Sequence, residues 1–337
     1  MKNNDYNKVI IASASRIPFG EANSVAIIRI AEAFQNKGLD TRLLVFRSVF
    51  NSKNNIWNKT FKRYNLKNKI KSNLIYWPFN RGLNIIIGLY FLILFFFKTR
   101  KKTLVLTRSN ITALFSYFLG FDTIYESHAP PDNRINKLIE SNLLSSKKVT
   151  FILISKELKK IYLENDYQFS SYLILPSAGR IKKNINSNSI GDAVNICYIG
   201  SLDKGRGFNL IKEIAENLPD RNFHIFGNSN LTNQSDELIG IPSNLYLYDS
   251  ITPLQAEIFP NFFDVLLMPY QKKVFLNNGL DTSKFMSPMK MYEYMLSEKP
   301  IISSNLKVIK ETLVDNENSL LVDPVSYTHL RAHETRH

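Results

Sequence analysis

The 337-residue sequence predicts an α/β protein made of two Rossmann-like, doubly wound domains. Three observations carry the prediction. Strand-like and helix-like runs alternate from end to end, the pattern of parallel strands joined by crossover helices. The length exceeds what one typical core accommodates. The alternation also restarts after a Ser-, Asn- and Gly-rich stretch, PSAGRIKKNINSNSIGDA (176–193), and each half opens on a strand followed by a glycine-containing loop. The expected division is a first domain over 1–180, a linker over 181–193 and a second domain over 194–325. Ligands of such sheets sit off the carboxyl ends of the strands, so a cleft between the domains is the expected site.

The elements follow in order. VIIASAS (9–15) is an apolar strand, and the helix over 24–37 ends at Gly38, a residue suited to a helix terminus. TRLLVF (41–46), TLVLT (103–107), TIYES (123–127) and VTFILIS (149–155) supply further strands, with a helix near 110–119. The second half begins with VNICYIGS (194–201) and a helix near 208–217. FHIFG (223–227), LYLY (245–248) and VLLMP (265–269) follow, then a helix over 288–297 and the strand PIISS.

Hydrophobic residues make up 44% and charged residues 21%, ordinary values for a globular protein. The single cysteine, Cys197, excludes an internal disulfide and a multi-cysteine metal site, and fits a reducing, cytoplasmic setting. Its apolar neighbours make it a buried strand residue. The net charge of +14 is unevenly spread: residues 1–180 carry 28 Lys and Arg against 11 Asp and Glu, whereas 181–325 carry 13 against 17. Between Asp40 and Asp122 there are 15 basic residues and no acidic one. Such a half seeks an anionic surface, whether lipid headgroups, a phosphorylated lipid carrier or nucleic acid. Met1–Lys8 is polar and the apolar run after it is short, unlike a signal peptide. The run NIIIGLYFLILFFF (84–97) has 14 residues, against the roughly 20 needed to span a bilayer, with Lys98, Arg100, Lys101 and Lys102 behind it. A core helix and a helix lying in the membrane interface both fit it.

Four segments carry chemistry. In SPMKMYEYMLSEKPIISS (287–304), Ser287 is a natural N-cap, Pro288 suits the first helical position, and Lys290 and Glu293 share a face one turn apart. Free backbone N–H groups with Lys290 suit phosphates, and Glu293 can accept hydrogen bonds from ribose hydroxyls. An ordinary capped helix with a surface ion pair fits the same spacing. The loop GSLDKGRG (200–207) follows a strand and opens a helix. Its small residues Gly200 and Ser201 let backbone approach a phosphate, and Lys204 and Arg206 add charge, although a structural turn would look alike. Gly20, in RIPFGEANS, lies between the first strand and the first helix, where a plain turn is the alternative. His128, in YESHAPP, projects from a loop at a strand's carboxyl end, beside Glu126.

These segments together resemble the retaining glycosyltransferases of family 4 (group 1), which have the GT-B fold, over roughly residues 8–325. The helix at 287–295 is similar to a subgroup pattern of Ser-Pro-hydrophobic-Lys, an aromatic, then Glu-Tyr-Met. The wider family has two glutamates separated by seven residues; Glu293 matches the second, and Phe285 occupies the place of the first. The resemblance implies a nucleotide-sugar donor and a glycan acceptor, in cell-surface polysaccharide synthesis. The basic first half favours a lipid-linked or membrane-proximal acceptor at the inner face of a membrane, and with no recognised RNA- or DNA-binding motif no nucleic acid partner is expected. The resemblance assigns Arg206, Lys204 and Lys290 to the donor diphosphate, with Gly20, Gly200, Ser201 and Ser287 as further donor contacts. It assigns Glu293 to the ribose, His128 to the transferred sugar and Glu126 to its support. Arg206 stands where lysine is usual and Ser201 where many members have arginine. No Asp-x-Asp occurs, so no metal and no cofactor are expected.

The last twelve residues, SYTHLRAHETRH, hold three of the five histidines. They resemble translated sequencing-adapter sequence, which implies a native chain stopping near Val325 without the family's C-terminal helices. Two other functions fit the sequence. One is a nucleotide-sugar epimerase of the same fold. The other is a basic module binding nucleic acid or membrane through 41–121, where Trp57, Phe61, Tyr64, Tyr76 and Trp77 intersperse the cations.

Overall fold

The computed structural model describes residues 6–18, 21–47, 53–77, 84–98, 100–180, 193–227, 240–276 and 279–324. The chain divides into two compact units, Met1–Ile154 with Leu158–Leu175 and Ser155–Glu157 with Pro176–His337. Gly20, the linker 181–192 and the tail 326–337 lie outside the described residues.

The first part of the chain runs β1 (Lys8–Ile17), α1 (Ala22–Asn36), β2 (Asp40–Arg47), α2 (Lys53–Tyr64), β3 (Lys71–Tyr76), α3 (Asn84–Phe95), β4 (Thr103–Thr107), α4 (Asn110–Phe118), β5 (Asp122–Ser127), α5 (Arg134–Leu144), β6 (Val149–Leu153), α6 (Lys156–Glu164) and β7 (Tyr172–Ile174). Its seven strands pair in the order β3-β2-β1-β4-β5-β6-β7. Every pairing is parallel. All five residues of β4 are buried, as a strand covered on both faces requires. Ile10, Leu44, Phe46 and Val105 of the sheet pack with Ile87 and Phe91 of α3. Ser109 starts α4 by accepting the N–H of Thr112, and Asn133 starts α5 by accepting that of Asn136.

The second unit contains β8 (Asn195–Ile199), α7 (Phe208–Asn217), β9 (Asn222–Phe226), β10 (Leu245–Tyr248), α8 (Pro253–Ile258), a 3-10 turn (Phe259–Phe262), β11 (Val265–Met268), α9 (Met289–Met295), β12 (Ile301–Ser304) and β13 (Leu320–Val322). Its strands are again parallel, in the order β10-β9-β8-β11-β12-β13. The two-residue period of β8 divides the core. Ile196 and Tyr198 pack with Phe208 and Ile211 of α7. Cys197 and Ile199 pack with Met291 and Tyr294 of α9. Cys197 is the buried strand residue expected of it.

In each sheet the strand order reverses about its first strand, between β1 and β4 and between β8 and β11. Those two switch points are where doubly wound sheets open a crevice at their carboxyl ends.

Three sequence expectations are corrected. Ser287 does not cap α9: the N-cap is Pro288, and the Ser287 hydroxyl accepts the Ser177 N–H at 2.9 Å while its carbonyl accepts the Ser177 hydroxyl at 2.7 Å. Residues Pro176–Arg180 belong with the second unit, and Gly179 lies against Leu296 and the Tyr292 carbonyl. Among the aromatics of 41–121, Trp57 and Tyr64 are fully buried and Trp77 stacks on Phe46, so these three belong to the core, whereas Tyr76 stays 40% exposed with Arg47 over its ring.

Candidate functional site

The switch point of the second unit gathers most of the residues singled out in the sequence. β8 delivers Tyr198, and the loop after it delivers Gly200, Ser201, Lys204 and Arg206. The segment after β11 brings Tyr270, and the first turn of α9 brings Lys290. The loop is fastened to the β11 side by backbone: Gln271 donates to the Gly205 carbonyl at 3.0 Å and Phe275 to that of Lys204 at 3.1 Å. Gly207 closes it with a left-handed φ of 88°, and any side chain there would strike the Pro269 carbonyl.

Lys290 reaches inward. Its Nζ lies 3.8 Å from the centroid of the Tyr198 ring and 5.5 Å from that of Tyr270. A side chain at Gly200 would come within 2.5 Å of that ammonium. Glycine there lets the lysine and the loop backbone share one space. The ammonium is buried and has no hydrogen-bond partner among the described residues, and Arg206 Nε is in the same condition. The Arg206 guanidinium sits 5.7 Å from the Tyr270 ring. Burial pushes Lys290 well below its ordinary range, Arg206 pushes it the same way, and Glu293 pulls it back. A buried ammonium and a buried guanidinium Nε that find no hydrogen-bond acceptor among the described residues are costly alone and favourable around an anion. Lys204 is exposed over the Phe275 ring, and the Ser201 carbonyl accepts the Tyr198 hydroxyl at 2.7 Å.

The first unit has its own cluster at the carboxyl ends of β1, β4 and β5. Glu126 Oε1 lies 2.7 Å from His128 Nε2 and accepts from Arg108 Nη2 at 2.8 Å. Arg108 also donates to Asn23 at 2.5 Å, spanning the switch point to the start of α1. Burial alone would raise the Glu126 carboxyl, but His128 and Arg108 outweigh it and lower it to about 2. The His128 side chain stays 42% exposed while one edge rests on Glu126. Lost hydration on that edge and Arg108 push the imidazole below its ordinary value, against Glu126. Near neutral pH the cluster therefore presents a neutral, outward-facing imidazole oriented by an ionised carboxylate.

Sequence reading missed Tyr198, Tyr270, Arg108 and Asn23. A signal existed for three: each of Tyr198, Arg108 and Tyr270 sits at or within two residues of the carboxyl end of a switch-point strand. Among the described residues no cluster of His, Cys, Asp and Glu could hold a metal ion.

No family model matches the sequence, and no curated protein matches it. Solved structures do. A sucrose-phosphate synthase from Thermosynechococcus elongatus superposes with a TM-score of 0.72 at 12% identity, over 98% of this chain and 89% of that one. HepE from Anabaena, in complex with UDP and glucose, gives 0.63 at 12% identity over 95% and 86%. A TarM variant from S. aureus, in complex with Fondaparinux, alpha-GlcNAc-glycerol and UDP, gives 0.67 at 10% identity over 97% and 91%. The fold is GT-B. Identities this low establish architecture, and the chemistry rests on the two clusters above.

Proposed function

We propose that the protein is a retaining, metal-independent glycosyltransferase that moves a hexosyl group from a nucleotide diphosphate to a glycan or lipid-linked acceptor in cell-surface polysaccharide synthesis. The observation that carries the reading is the buried Lys290 ammonium, without a hydrogen-bond partner among the described residues and beside Arg206 at a sheet switch point. A diphosphate supplies acceptor oxygens for Lys290 Nζ and Arg206 Nε, with the opposite charge. Neighbours of the same fold crystallised with UDP support a nucleotide of this class.

Arg206 and Lys290 hold the diphosphate, Lys204 adds charge at the loop's outer side, and Glu293 accepts from the ribose. The bond from the anomeric carbon to the phosphate oxygen breaks with its electron pair going to the phosphate, and Lys290 and Arg206 stabilise that growing charge. The acceptor hydroxyl bonds to the same face of the oxocarbenium-like carbon, and its proton passes to the departing phosphate. His128, oriented by Glu126, contacts the transferred sugar.

Calorimetric titration with uridine diphosphate tests the donor site. Lys290→Met and Arg206→Ala are each expected to weaken binding by about 1.5–3 kcal/mol, roughly 10–100-fold, the range for charge-assisted contacts. Unchanged affinity in both would overturn the reading. Incubating a nucleotide sugar without acceptor separates transfer from epimerisation, since only an epimerase converts the donor to an isomeric donor.

A further inference from the structure

Helix α3 is apolar on every side, yet much of its circumference faces water. Ile87, Gly88, Phe91 and Phe95 are buried, with Gly88 set against Ile111 and Phe115 of α4. Ile85, Leu89, Ile93 and Phe96 recur at helical spacing on the outward side, where Ile93 is 72% exposed. Phe97 follows at 92% exposed, and Phe118 at the end of α4 at 71%. A helix face turned to water in a globular protein is ordinarily polar, and a contiguous apolar face marks a contact surface.

The rim identifies the contact. Lys98, Arg100, Lys101 and Lys102 are exposed directly after the helix. The Arg100 side chain and the Lys148 ammonium both come within 4.0 Å of the Cβ position at Gly120, so cations also border the end of α4. No acidic residue lies between Asp40 and Asp122. An anionic bilayer complements both the apolar face and its rim.

We propose that this face docks on an anionic lipid bilayer, with α3 lying in the headgroup plane. Ile85, Leu89, Ile93, Phe96 and Phe97 enter the acyl boundary, and the cations behind them meet lipid phosphates. The twelve residues of α3 extend about 18 Å, short of the roughly 30 Å hydrocarbon core. No described helix is long and apolar enough to cross a membrane. The docking surface is independent of the donor-site reading, because it is assayed without nucleotide.

Flotation of the full chain with vesicles tests it, comparing phosphatidylglycerol–phosphatidylcholine mixtures with phosphatidylcholine alone. The chain is expected to float with the anionic vesicles and to lose about tenfold in partitioning on neutral ones or at high salt. Ile93→Ser combined with Phe97→Ser is expected to lose about tenfold on anionic vesicles at an unchanged melting midpoint. Should that pair lower the midpoint, Phe97→Ser alone and Lys101→Gln combined with Lys102→Gln decide, each expected to weaken flotation severalfold. Equal flotation on both vesicle types overturns the proposal. So does flotation that none of these variants weakens, or a sedimenting dimer that Ile93→Ser/Phe97→Ser dissolves while vesicles capture nothing.

Discussion

At the residue scale, Lys290 holds a conflict that a ligand resolves. Burial and Arg206 disfavour its charged form, whereas the proposed diphosphate would favour it. The lysine pKa is therefore lower in the empty site than in the occupied one, and binding takes up a proton between those two values. Affinity is greatest below the lower value and falls as pH rises through the window, by at most about tenfold per unit for one proton. Calorimetry of nucleoside diphosphate binding in buffers of different ionisation enthalpy is expected to show this uptake in the wild type and not in Lys290→Met. Equal uptake in both would assign the proton to another group. The lysine, its glutamate and the loop cations could be read from the sequence because each stands in a short local pattern. The aromatic floor under them could not. Tyr198 and Tyr270 are 72 positions apart and meet only because β8 and β11 are neighbours in the sheet.

At the element scale, the strands that could be read are the continuous apolar runs, such as TLVLT and NICYI, buried along their whole length. The unit α2–β3 escaped for the opposite reason. Ile56, Trp57, Thr60 and Tyr64 give α2 a buried stripe, but asparagines and lysines fill the positions between them and hide the period. β7 has only three residues and is held mainly by the ladder of β6. The tie joining β5, α5 and α6 was hidden too, because it is polar. Glu140 of α5 is buried and accepts from the hydroxyls of Tyr125 in β5 and Tyr162 in α6, while Ser127 and Tyr162 share a bond of 2.9 Å. Burial raises Glu140 from 4.5 to about 7, more than its hydrogen bonds lower it. The folded state then keeps a proton that the unfolded chain releases. Its contribution is full below about 4.5 and is lost as pH rises to about 7, amounting to about 3 kcal/mol at most. The melting difference between wild type and Glu140→Gln is expected to shift in favour of the variant across that window. A pH-independent difference would show that Glu140 is ionised throughout.

At the scale of the whole molecule, two sheets of the same doubly wound design carry different charge and different clusters. The number of domains and the parallel class follow from the alternation of periods along the chain. The strand orders do not, because they depend on which face each crossover covers, and the apolar runs of β1 and β4 look alike from either side. Those orders decide where function lies. They set Arg206, Lys290 and Tyr270 around one switch point, and all of them belong to the second unit. A nucleoside diphosphate bound there orders the Gly200–Gly207 loop and the first turn of α9, whose backbone and side chains form the site. Hydrogen exchange with saturating nucleoside diphosphate is therefore expected to slow amides of 199–208 and 288–293 by about tenfold or more. The strands β2, β3 and β4 of the first unit, which contribute no residue to this cluster, are expected to exchange unchanged. Protection confined to the first unit would move the anion site to the Arg108–Glu126 cluster and remove Lys290 from the mechanism.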